Sequence, residues 1–203
     1  MTVRFGRVGY NACLVKARKP SKVNWLTFVG QAVRLVLLSA VLIGLLVLFG
    51  DLQAATLINR GNASFREDDY ATAIDYYSRV LQAHPDHVIA LTNRAAAYTM
   101  TGQYEAAAVD YSTVIRLEPE NAFAYSNRGL VYAKAQQYES ALFDYATAIR
   151  VRPDLAATYY YRALLYIEVN RREQALADLQ MYLSLESDPV LRETALLKID
   201  QLR

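Results

Sequence analysis

The 203-residue chain has one cysteine, Cys13, one tryptophan, Trp25, and two histidines, His84 and His87. A lone cysteine excludes an intramolecular disulfide framework and a thiolate metal cluster. His84 and His87 flank Pro85-Asp86, and a metal site at such a turn needs ligands that the segment does not supply. No phosphate loop, nucleophile–base constellation or paired catalytic carboxylate stands out, so no cofactor, small-molecule substrate or enzymatic activity is expected. Acidic residues are missing altogether before Asp51, where Arg4, Arg7, Lys16, Arg18, Lys19, Lys22 and Arg34 lie. The other 15 of the 22 basic residues and all 20 acidic ones follow, so a +7 tail precedes a −5 remainder. An acidic remainder offers no basic stripe to nucleic acid.

What is present is first a long apolar run, Leu35 to Phe49, broken only by Ser39 and Gly44. Leu35 to Gly50 as a helix measures ~24 Å at 1.5 Å per residue. Adding Gly30 to Arg34, with the arginine snorkelling toward the basic side, approaches the ~30 Å of a bilayer core. Trp25 and Phe28 then fall near the interface, where aromatic rings are favoured. The favoured expectation is a retained transmembrane helix over residues 25–50. A cleaved signal peptide is the second reading, although Leu52-Gln-Ala-Ala is a poor small-x-small cleavage site. An organellar targeting sequence followed by an anchor is the third, since the leader is basic and acid-free.

From Ala54 to Pro189 the chain repeats every 34 residues, four times, without insertion or deletion. Gly61, Ala95, Gly129 and Ala163 are one period apart, as are Ala73, Ala107, Ala141 and Ala175. Pro85, Pro119 and Pro153 keep the same step. A fixed period of this length marks a stacked repeat architecture. Each period reads as two amphipathic helices. In the second copy, helix A is expected over about Ala90 to Thr101, Gly102-Gln103 is the turn, and helix B runs from about Tyr104 to Leu117 before Pro119 stops it. The small residues let the helices approach closely. Tyr98, Tyr132 and Tyr166, with Tyr77, Tyr111, Tyr145 and Leu179, fill the space between them. Most of the 16 tyrosines recur at this spacing, which points to packing rather than ligand stacking. Arg60, Arg94, Arg128 and Arg162 also recur, with Asp110, Asp144 and Asp178 sixteen residues after the last three. Arginine and aspartate on facing antiparallel helices are expected to pair.

Asn93-Arg-Ala-Ala-Ala-Tyr98 with Ala107-Ala-Val-Asp-Tyr111 and Pro119 resembles the tetratricopeptide repeat, as does Asn127-Arg-Gly-Leu-Val-Tyr132 with Ala141-Leu-Phe-Asp-Tyr145 and Pro153. The resemblance covers residues 54 to 189. It implies an all-α solenoid of four helix-turn-helix units, at 54–87, 88–121, 122–155 and 156–189. A basic tail (1–24) and the apolar helix precede them, and a capping helix (190–203) follows, with Leu191, Ala195, Ile199 and Leu202 on one face. Departures from the family pattern are Leu57, Leu91, Tyr125 and Tyr159 at its tryptophan, Ser64 at its tyrosine, Arg172 where Tyr70, Tyr104 and Tyr138 stand, and Ser187 for proline. Terminal repeats are expected to be atypical.

In this family helix A lines a concave groove. The resemblance therefore places Asn59, Asn93 and Asn127 in a ladder, with Tyr161 at the fourth rung. Asn62, Ile89, Thr92, Phe123, Ser126 and Tyr160 lie beside it. Asparagine offers donor and acceptor together, so such a ladder can grip the backbone of an extended peptide. Some members of the family clamp a C-terminal carboxylate with Lys, Asn, Asn, Lys and Arg. The two asparagines map onto Asn62 and Asn93, but the cationic positions map onto Ile58, Phe123 and Asn127. Carboxylate capture needs the charge. The expectation is thus a non-enzymatic adaptor or assembly factor with a protein or peptide partner. It is also expected to be a single-pass membrane protein whose tail is cytoplasmic, whose helix meets the lipid bilayer and whose repeats lie across it, because positive charge near a first helix stays inside. The alternative is a structural subunit of a larger membrane complex, held through the helix and the tail.

Overall fold

The computed structural model describes residues 25–202, excluding the side chains of residues 25–28, 46–49 and 51. The basic tail lies outside the described residues. Two compact units divide the chain, Met1–Phe49 and Gly50–Arg203. The described residues form nine α-helices and no strand: α1 (Trp25–Arg66), α2 (Tyr70–Ala83), α3 (Val88–Met100), α4 (Tyr104–Leu117), α5 (Ala122–Lys134), α6 (Tyr138–Val151), α7 (Ala156–Glu168), α8 (Arg172–Leu185) and α9 (Pro189–Gln201).

The membrane assignment requires correction. Among the described residues no helix is long and apolar enough to cross a membrane. The uncharged run between Arg34 and Asp51 has 16 residues, and its ~24 Å falls short of a bilayer core of ~30 Å. Extending it upstream brings in Gln31 and Arg34, whose polar ends a hydrocarbon layer does not solvate. The bilayer contact over residues 25–50, and the single-pass topology built on it, fall with that finding. Side chains from Val29 to Leu45 are exposed.

In the second unit the helices run in pairs, and local chemistry explains where each ends. Between the helices of each pair one residue takes a left-handed conformation: Asp68 (φ 59°), Gly102 (75°), Gln136 (59°) and Asn170 (58°). These four are one period apart. This geometry lets the next amide reach back to a carbonyl that the helix end leaves free, as in Gln103 N to Tyr98 O (2.8 Å) and Gln137 N to Tyr132 O (2.8 Å). Side chains cap several helix starts: Asp69 accepts from Thr72 N, Asn121 from Ala124 N, and Asp188 from Val190 N and Leu191 N. The helix expected over Tyr104 to Leu117 is α4.

Packing follows the small–large pattern. Ala73, Ala107, Ala141 and Ala175 have no exposed surface, and Tyr77, Tyr145 and Leu179 are fully buried beside them. A Cβ added to Gly61 would lie 2.6 Å from the Tyr77 ring, and one added to Gly129 would lie 2.9 Å from the Tyr145 ring. Glycine is therefore required there for close approach, not for its backbone freedom. Arg94 donates to both oxygens of Asp110 (2.8 and 2.8 Å), Arg128 to those of Asp144 (2.7 and 2.9 Å), and Arg162 to those of Asp178 (2.7 and 2.7 Å). The expected pairing holds in all three copies. Each carboxylate raises its arginine pKa further, chiefly by hydrogen bonding and against the opposing effect of burial. Arg94 and Arg128 also donate to Ser78 and Ser112 of the preceding helix (3.1 and 2.9 Å), so one guanidinium ties three helices together.

Candidate functional site

The candidate positions on the first helix of each pair fall into distinct settings in the structure. Asn62, in the penultimate turn of α1, is held by two partners. Its Oδ1 accepts from the Tyr77 hydroxyl of α2 (2.7 Å) and from Asn93 Nδ2 of α3 (2.9 Å). The Tyr77 ring lies against Gly61, so the same buried side chain touches the glycine and bonds to the asparagine amide. Beside this network lies a cavity of about 280 Å³ lined by Asn62, Phe65, Arg66, Tyr77, Asn93 and Ala96. Arg66 Nε donates to the Asn62 carbonyl oxygen (3.1 Å), which positions the guanidinium at the cavity. Burial raises the Tyr77 phenol pKa, so the hydroxyl remains a donor at neutral pH.

A second depression is lined by Ala54, Ala55, Ile58, Asn59, His87 and Ile89. Here Asn59 is exposed and Ile89 is 57% exposed, while Ile58 is buried. His87 Nδ1 accepts from Ala90 N and caps α3. Phe123, the second residue of α5, is 53% exposed and lines a third depression with Glu118, Asn121 and Val151. The Arg152 guanidinium sits 4.8 Å from the centre of its ring. Tyr160 packs against Tyr182 of α8 (5.1 Å between ring centres) and stands edge-on to Tyr161 (6.2 Å). Burial, and then the neighbouring Tyr161, raises the Tyr160 phenol pKa. Thr92, Asn127 and Tyr161 are half-buried.

Ser126, expected beside the asparagine ladder, is buried. It is 5% exposed, and its hydroxyl accepts from Thr158 Oγ1 (2.9 Å) inside the α5–α7 contact. The sequence also gave no warning of Phe65 and Arg66. Their signal is their spacing: they follow Asn62 by three and four residues, on the same face of α1.

Three stretches match repeat families: residues 55–87 and 122–155 match models described as tetratricopeptide repeat, and 97–136 one described as TPR repeat. The chain carries tetratricopeptide repeats. No curated protein matches the chain. Among solved structures, MamA (residues 41 to end) from Desulfovibrio magneticus RS-1 is 22% identical with a TM-score of 0.61, over 65% of this chain and 75% of that one. At that identity the likeness shows the fold alone. The first tetratricopeptide domain of Spaghetti (RPAP3), solved with the HSP90 peptide SRMEEVD, is 27% identical with a TM-score of 0.55, over 59% and 94% of the two chains. The Sgt2 domain from Aspergillus fumigatus is 28% identical with a TM-score of 0.55, over 60% and 82%. The likeness to other tetratricopeptide domains is consistent with a protein-interaction module.

Proposed function

We propose that the chain is a non-enzymatic adaptor that holds an extended segment of a partner protein along its helix A face. The primary seat is the cavity between α1 and α3. The observation that carries this reading is the Tyr77–Asn62–Asn93 network beside an apolar cavity. The network engages Asn62 Oδ1 and Asn93 Nδ2, and in this reading Asn62 Nδ2 and Asn93 Oδ1 pair with a peptide backbone while Phe65 and Ala96 receive a side chain. Asn59, Ile89 and Thr92 extend the seat toward the first turn of α3, and Asn127, Phe123, Tyr160 and Tyr161 continue along the later repeats. The Spaghetti domain, solved with a bound peptide, supports a peptide-binding role. The cationic positions with which some members of the family clamp a C-terminal carboxylate are Ile58, Phe123 and Asn127 here, so a free carboxylate is not what this seat takes.

Affinity capture on the full-length chain, followed by titration of the captured segment as a synthetic peptide, tests the proposal. Asn93→Ala is expected to weaken binding by about 0.5–1.5 kcal/mol, the worth of a neutral hydrogen bond. Phe65→Ala is expected to cost about 2 kcal/mol or more, as central apolar anchors do. Raising salt should change the affinity little, since few charges line the seat. Unchanged binding by the double variant, or loss of binding on adding salt alone, defeats the reading.

A further inference from the structure

Three helix pairs share a lock that the first pair lacks. Arg94, Arg128 and Arg162 each fork a buried aspartate on the facing helix. Arg60 stands one period before Arg94, but Tyr76 occupies the place of the aspartate. Arg60 is exposed, and among the described residues it makes no ion pair. The other guanidiniums are flanked by Tyr98, by Tyr125 and Tyr132, and by Tyr159 and Tyr166. In the first pair Leu57 and Ser64 stand in those places. What joins the end of α1 to α2 there is uncharged: Ala54 and Ile58 share a buried apolar cluster with Val80 and Leu81, the Phe65 ring meets Tyr70 edge-on (5.1 Å), the Tyr77 ring lies on Gly61, and its hydroxyl bonds to Asn62.

A buried bidentate pair fixes register, because sliding one helix past the other leaves two charges without partners away from water. Uncharged contacts of the kind that hold the first pair leave no buried charge without a partner when they shift. We infer that the first helix pair yields on its own: the last turns of α1 shift against α2 and α3 while α3 to α9 keep their register. The part that yields is also the cavity wall bearing Asn62, Phe65 and Arg66. The wall therefore adjusts to the side chain it receives; this last step rests on the binding reading above, and the yielding does not.

Hydrogen exchange followed by mass spectrometry, on the full-length chain without partner, tests the yielding. Amides of α2 are expected to exchange about tenfold or more faster than those of α4, α6 and α8, as in a sub-globally opening unit. Tyr76→Asp sets a carboxylate opposite Arg60 and is expected to slow α2 exchange several-fold. Arg60→Ala is expected to leave α2 unchanged, whereas Arg94→Ala should speed exchange in α3 and α4. Protection of α2 equal to that of α4 and α6 overturns the inference, as does a folded Tyr76→Asp with unaltered α2 exchange. If Tyr76→Asp does not fold, the arginine variants decide: a loss in α2 on Arg60→Ala as large as that in α4 on Arg94→Ala overturns it. Failure to capture any partner defeats the binding reading and leaves these exchange results standing.

Discussion

At the scale of single residues, the four left-handed positions carry different costs in one geometry. Glycine meets φ near 60–75° without penalty, while a residue with a Cβ pays ~1 kcal/mol. Gly102 is matched to its place, and Gln136 is not. Gln136→Gly is therefore expected to stabilise the protein by about 0.5–1 kcal/mol, and Gly102→Ala to destabilise it by a similar amount. Urea unfolding of both variants provides the check, with opposite shifts in midpoint. Only one of the four was legible beforehand. Gly102 reads as a turn, but Asp68, Gln136 and Asn170 show their conformation only through the period they share with it. Ser126 teaches the same lesson in reverse. Its place beside Asn127 suggests a ligand-facing hydroxyl, yet Thr158, 32 residues away, buries it.

At the scale of helix pairs, the arginine–aspartate forks separate ion pairs that matter from those that do not. Asp144 is 1% exposed and lies 2.7 Å from Arg128 Nε, whereas Arg79 and Asp75 are both exposed and 4.0 Å apart. Asp144→Asn leaves a guanidinium largely out of water with a neutral partner, and is expected to cost about 3 kcal/mol. Asp75→Asn should change stability by no more than a few tenths of a kcal/mol. Equilibrium unfolding of the two variants side by side measures the contrast, and similar losses would refute it. Here the sequence was informative. A sixteen-residue offset repeated in three copies points to facing side chains, and three forks confirm it. Arg66 escaped because it has no periodic counterpart: Met100, Lys134 and Glu168 stand at its position in the other copies.

At the scale of the whole molecule, tyrosine is the repeated filler of the core, and that choice sets an alkaline limit. Burial, then the nearby Asp110, pushes the Tyr111 phenol up to about 12, and burial raises Tyr145 further. The unfolded phenol ionises near ~10, so the contribution of Tyr111 is complete below that pH and is lost as pH rises toward about 12. The melting temperature is expected to fall over this interval, and Tyr111→Phe to fall less steeply. The repeat architecture was visible from the period because every copy places its small and large residues in the same phase. The membrane helix was misjudged because hydropathy was summed across Arg34, whose charge ends the apolar run.

The unbroken 34-residue step has a genetic meaning. Recombination between two copies of the block adds or removes one whole helix pair and leaves every neighbour in phase. Loss of residues 122–155, for example, would bring Thr158 against Thr92 where Ser126 now stands, one hydroxyl in place of another. The span from the α1 cavity to α9 is thus a heritable length, set by how many times one unit is written.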